Sequence, residues 1–183
     1  MAVLTFRRLG FSEAELEAQA RAGNRFDKRT SVMYRSMYDM DNPPDEDIRS
    51  FESAMGKIPE DYKSFLKSNN GGIPSATLLK TKSNERVINA LLALKAPPGF
   101  GDSIESHLNV YEGRIPSNTI PIASAGSGDL ILLNIDPSKF GEVLYWDHNF
   151  ESDDDDASDY FGNTEVVSDS FSAFLDKLTP DVG

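Results

Sequence analysis

Residues 120–148 constrain this chain more than any other stretch. Leu130–Ile135 (LILLNI) is apolar at all but one position and reads as a buried strand. Glu142–His148 (EVLYWDH) is a second β-type run. Between them lies Asp136-Pro137-Ser138-Lys139-Phe140-Gly141, rich in turn formers. Two such runs joined by a turn of that length predict an antiparallel hairpin. Just upstream, Ile120-Pro121-Ile122-Ala123 reads as a short, edge-like strand, because Pro121 has no N–H to give to a ladder. Ala125-Gly126-Ser127-Gly128-Asp129 is the tight turn that follows, with Asp129 expected to accept backbone N–H groups and lock it.

Helical patterns flank this β region. Asp45 is expected to cap a helix that buries Ile48, Phe51 and Met55 and ends at Gly56. Pro59 is well placed to start the next helix, with Glu60 and Asp61 at its positive end. Tyr62, Phe65 and Leu66 form its apolar stripe, and Asn70-Gly71-Gly72 stops it. A short strand is expected at 76–79. Residues 86–94 (RVINALLAL) fit strand or helix, since periodicity does not decide, and are taken as a strand. A helix spans 102–112, with Ile104, Leu108 and Tyr111 facing inward. A further short strand is placed at 165–167. Ser168 or Ser170 caps a last helix that turns Phe171, Phe174, Leu175 and Leu178 inward and ends at Pro180. The fold class that follows is α+β.

Residues 1–44 read as a partly helical N-terminal extension, and 45–183 as the main domain. Ser12 and Glu15 have capping-box spacing, so a short helix starts there and fades near Gly23. The segment SVMYRSMYDMD holds Met33, Tyr34, Met37, Tyr38 and Met40, too apolar a set to stay solvated. It is expected to pack on the domain, with an adaptable binding strip as the alternative. Asn42-Pro43-Pro44 reads as a linker.

Charge divides along the same line. Residues 1–38 hold 7 Lys/Arg and 4 Asp/Glu, whereas 39–183 hold 11 and 26. An acidic body repels phosphate backbones and anionic membranes, so neither nucleic acid nor a membrane is expected as partner. It attracts basic proteins. The chain has no cysteine, which excludes disulfides and thiolate chemistry and suits a reducing compartment. The N-terminus does not have the pattern of a signal peptide, and no apolar run reaches membrane-spanning length, so a cytoplasmic location is expected.

Catalytic chemistry finds little support. The two histidines, His107 and His148, are assigned structural or surface roles. Asp147 and His148 adjoin on a strand, so their side chains point to opposite faces. Ala-Gly-Ser-Gly-Asp lacks the lysine of a phosphate loop. Asp153–Asp156 lack the alternating acids and central glycine of a calcium loop. No metal, cofactor or catalytic residue is assigned, and no enzymatic activity is expected.

Four segments together resemble the SUKH superfamily. They are IPEDYKSFLKSNNGGIP, TIPIASAGSGDLILLNI, GEVLYWDH and SFSAFLDKL, in that order over about residues 45–179. The residues that match its signatures and read as structural are Pro59, Tyr62, Phe65, Leu66, Gly71, Gly72, Pro121, Gly128, Asp129 and Trp146. The resemblance implies a mixed, mainly antiparallel sheet flanked by helices. It also implies a protein that works by binding. Bacterial members are commonly immunity proteins that occlude a cognate toxin, often a nuclease. Fungal members are cell-wall and signalling regulators, so a scaffold that binds host partners is the alternative.

On the immunity reading, the toxin presents a basic surface. The acids expected to meet it are Asp147, Glu151, Asp153, Asp154, Asp155, Asp156 and Asp159. The chain itself is expected as a monomer or weak homodimer.

Overall fold

The computed structural model describes residues 3–182. In chain order its elements are β1 (Phe6–Arg7), α1 (Glu13–Arg21), α2 (Lys28–Asp39), α3 (Asp45–Met55), α4 (Glu60–Asn69), β2 (Ile73–Pro74), β3 (Leu78–Lys80) and β4 (Glu85–Leu91), then α5 (Ile104–Val110), β5 (Thr119–Ala125), β6 (Leu130–Asn134), β7 (Val143–Trp146), β8 (Thr164–Ser168), α6 (Phe171–Asp176) and β9 (Leu178–Thr179). This is an α+β fold.

The expected hairpin is β6–β7, with Leu130 opposite Trp146 and Leu133 opposite Val143. It lies within a seven-stranded sheet of order β8-β7-β6-β5-β4-β3-β9. Every pairing between these strands is antiparallel, and Ala93 makes one parallel bridge to Ser103. Side chains alternate between two buried faces. Ile131, Leu133, Val143 and Tyr145 enter the main core, while Leu130, Leu132, Leu144 and Trp146 form a second cluster with Ile115 and Tyr111. Burial on both sides is why these strands read as continuous apolar runs.

The sheet curls strongly. The main-chain N–H of Lys82, between β3 and β4, donates to the Glu165 carboxylate of β8, at the far edge of the strand order. Strand twist of one hand, accumulated over several strands, brings such distant edges together.

Two sequence expectations change here. The strand with Pro121 is not an edge: β5 is the central strand of the seven. The ladder between β5 and β6 shifts register between Pro121 and Ala123, so the missing N–H falls at an interruption. Leu178 is not in the last helix. α6 stops at Asp176, and Leu178 pairs with Leu79 as part of β9.

Helix ends differ by a residue from the reading of their caps. Pro44 occupies the N-cap of α3 with no side-chain bond, and Asp45, one residue inside, pairs with Lys67 of α4 instead. Pro59 likewise sits at the N-cap of α4. Asp61 in the first turn of α4 accepts from both Ser172 N (2.9 Å) and Ser172 Oγ (3.0 Å), which fastens α4 to α6.

The Asn-Gly-Gly stop is a junction as well as a terminator. Asn70 is left-handed (φ 47°), and its side-chain oxygen accepts from Leu94 N and Lys95 N. Gly71 (φ +82°) passes so close to β4 that a Cβ would lie 2.6 Å from the Leu91 carbonyl oxygen. Only glycine suits both the angle and the space.

The N-terminal residues pack on this body. β1 pairs with β2, Phe6 meets the Phe65 ring edge-on at 5.0 Å, and Asn42 donates to the Ser68 carbonyl. Ser12 caps α1 and Asp27 caps α2. Met37 and Leu9 are buried against Ala90, Ala93 and Phe100. The Met/Tyr segment is therefore one face of α2, seated on the body as its composition predicts.

Candidate functional site

The curl of the sheet brings five polar side chains together behind β7. Asp129 immediately precedes β6, Tyr145 lies on β7 and Arg86 comes from β4. Asp147 and His148 lie beyond the end of β7 rather than on the strand, so the alternation expected from sequence does not apply and their side chains converge on one cluster instead of facing apart. The Asp129 side chain is 4% exposed. One of its oxygens accepts from His148 N at 3.0 Å and lies 2.6 Å from His148 Nδ1, and the other accepts the Tyr145 hydroxyl. A carboxylate only accepts, so Nδ1 carries the proton in that pair.

Arg86 supplies the positive charge. Its guanidinium lies 3.0 Å from Asp147 Oδ2 and 3.8 Å from Asp129 Oδ2, and 4.9 Å from the centre of the Tyr145 ring. Asp147 also accepts from Asn149 N and Nδ2.

Burial pushes the Asp129 carboxyl up, but the bonds from Tyr145 and His148 outweigh it and hold the group below its ordinary value. Burial, and then the bond to Asp129, push the Tyr145 hydroxyl up. The cluster therefore stays as a carboxylate with a neutral phenol.

These groups offer one metal-ligand set: Asp129, Asp147 and His148 each present a ligand atom within 4.8 Å of the others. The set fits a cation poorly, because Arg86 already sits against both carboxylates and the Asp129 oxygens are engaged by hydrogen-bond donors. As a catalytic dyad it has the same limit, since both Asp129 oxygens and the His148 Nδ1 are engaged within the protein. The arrangement suits a structural clamp that fixes where the chain leaves β7.

Asp129 is thus more than a turn lock. The turn closes through its main chain, Ala125 N to Asp129 O at 2.9 Å, while its side chain reaches the end of the next strand. Gly128 (φ +99°) lies under the His148 ring. His107 is separate: its Nδ1 is 3.0 Å from the Ser103 carbonyl and its ring stacks on Tyr111.

Residues 149–163 leave this clamp as a strap. Its start and middle are fastened to the loop between α5 and β5. Arg114 makes two bonds to Glu151, Ala157 N donates to Gly113 O, and Ser117 N donates to Ser158 O. Asn163 Nδ2 returns to the Asp147 carbonyl at 2.8 Å.

The expected partner-facing acids fall into two sets. Asp147 is buried and Glu151 half-buried, and each is consumed by an arginine. Asp153, Asp154, Asp155, Asp156 and Asp159 are exposed, and among the described residues no ion pair reaches them. The motif residues Tyr62, Leu66 and Trp146 are buried to within 1%, and Phe65 nearly so.

Sequence reasoning missed Arg86 and Tyr145 as members of the clamp. An arginine at the start of the mostly apolar run 86–94 was the available signal.

No helix among the described residues is long and apolar enough to cross a membrane. The chain is similar to the SPbeta prophage-derived uncharacterized protein YokK of Bacillus subtilis (strain 168), with 28% identity over 153 residues that cover 74% of each chain. A family model for the SMI1 / KNR4 family (SUKH-1) matches residues 42–177, which span the first three signature segments, all but the last residue of the fourth, and the whole clamp. The chain belongs to the SMI1 / KNR4 (SUKH-1) family.

Proposed function

We propose that this chain is an immunity protein, which neutralises a cognate toxin by covering its working surface, and that the toxin is a basic protein such as a nuclease. The observation that carries this reading is the strap. It presents uncompensated acids on a segment held by the rest of the fold, while the buried charges nearby are all paired. A segment ordered before binding loses less freedom on binding, and exposed acids speed the approach of a basic partner. Family membership and the prophage-derived relative agree with this role. No bond-making step is assigned to any residue, and the protein acts in the cytoplasm as a monomer or weak homodimer.

The test is co-expression with the toxin domain encoded beside this chain's own gene. Cells carrying both are expected to grow, and cells carrying the toxin alone to stop. Equal growth arrest with and without this chain would overturn the reading.

A further inference from the structure

The exposed aromatic side chains are concentrated on one region. Of the five exposed Phe and Tyr residues, four fall within 140–161: Phe150 is 67% exposed, Phe140 47%, Phe161 42% and Tyr160 37%. The fifth, Phe26, is stacked with Phe11 and meets Tyr34 edge-on. Rings left in water are costly, and a group of them marks a surface that meets a partner.

The rings are positioned by the strap. The Tyr160 hydroxyl donates to the Phe150 carbonyl at 3.4 Å. The Tyr160 ring folds back over Gly162, where a Cβ would lie 2.5 Å from its hydroxyl oxygen. Gly162 therefore leaves room for the ring in this position. Phe161 has Lys139 over its face at 5.6 Å, so it already accepts a cation.

Charge supplies the complement. Residues 140–176 contain eleven Asp/Glu and no Lys or Arg. Of the two neighbouring cations, Arg114 is spent on Glu151 and Lys139 covers one face of Phe161. A surface that only imitated phosphate would need carboxylates alone. Aromatic faces beside carboxylates suit a planar cation, which can stack on a ring and bond a carboxylate in a fork.

We infer that the outer face of the strap, formed by Phe150, Tyr160 and Phe161 beside Asp153–Asp155 and Asp159, docks a basic protein surface through arginine side chains rather than lysines. This names the partner chemistry of the immunity reading and rests on that reading.

The test uses the full chain and two synthetic peptides, alternating Arg-Gly and alternating Lys-Gly, each with six cations. Affinity is measured by fluorescence anisotropy, and the contact is mapped by amide chemical shifts. The arginine peptide is expected to bind about fivefold tighter, a typical cation–π increment, with shifts concentrated on 150–161.

The double substitution Phe150→Ser, Phe161→Ser is expected to erase that preference and keep the weak, salt-sensitive binding of both peptides. Gly162→Ala, which displaces the Tyr160 ring, is expected to reduce it. A melting curve checks that each variant is folded. Equal affinities, shifts elsewhere, or no binding would overturn the inference. Failed protection in co-expression would remove the immunity reading while leaving an arginine preference standing. Protection without that preference would remove this inference alone.

Discussion

Two groups of aspartates, the pair Asp129 and Asp147 and those of the strap, serve opposite ends. Asp129 and Asp147 are buried, shared among Arg86, Tyr145, His148 and Asn149, and have no charge left to offer. Asp153, Asp154, Asp155 and Asp159 are exposed and uncompensated. Residue type is the same in both groups, and Asp147 lies only six positions from Asp153. The difference is a cation: the curl of the sheet carries Arg86 to the first group, and nothing carries one to the second. A carboxylate taken out of water must find partners inside the protein, whereas one left in water can keep its charge for a visitor.

The strongest way to break this contrast is to remove the hub of the buried group. Asp129→Ala leaves the Tyr145 hydroxyl and two His148 donors without their acceptor. The expected loss is about 3 kcal/mol of unfolding free energy, read from urea titration. A loss below about 1 kcal/mol would show that water replaces the clamp.

Next in size is Arg86→Met, which strips the positive charge from two buried acids but leaves a similar volume. Arg86 is itself a quarter exposed, so the expected cost is smaller, about 2 kcal/mol in the same titration.

Acidification sharpens the same point. The Asp129 carboxyl is held below its ordinary value, so the folded state favours its charged form. Its stabilising contribution is complete above the ordinary aspartate pKa of about 3.9 and is lost as pH falls through the lower folded value. Wild-type stability is therefore expected to decline below about pH 4 more steeply than that of Asp129→Asn. Parallel pH profiles of the two proteins would remove Asp129 as the source.

The smallest effect on stability belongs to the exposed group. Replacing Asp153–Asp156 by asparagine is expected to change unfolding free energy by less than about 0.5 kcal/mol, as for ordinary surface changes. The effect appears in partner kinetics instead. Association with the toxin domain is expected to slow by about tenfold at low salt and to lose most of its salt dependence, with dissociation little changed. An unchanged on-rate in stopped-flow mixing would remove this loop from the encounter surface.

Much of the fold was legible in sequence because its signals are local. A serine three residues before a free N–H caps a helix wherever the helix goes, as Ser12, Ser103 and Ser170 do. The hairpin of β6 and β7 needed only two apolar runs and a turn between them. Pro121 shows where local reading fails. A proline without an N–H argues for an edge, yet the register shift beside it makes room for β5 at the centre of the sheet. That shift depends on neighbours supplied by other strands.

The candidate site was half legible. Asp129, Asp147 and the acids of the strap were named from sequence. Which of them keep a free charge was not, because that depends on a residue 61 positions from Asp147. The rings of Phe150, Tyr160 and Phe161 were invisible as a surface, since an aromatic residue in a loop reads equally well as core.

What the sequence determined by itself was the type of most elements of the main domain, the family and the acidic excess, all of which follow from short-range pattern and composition, whereas α2 and β9 were not read from it. The tertiary structure alone decided that β5 is central, that Arg86 closes the clamp, and that the strap turns its remaining acids and rings outward. The reason is physical: hydrogen bonds, ion pairs and burial depend on distance in space, and only the folded curl of the sheet sets those distances.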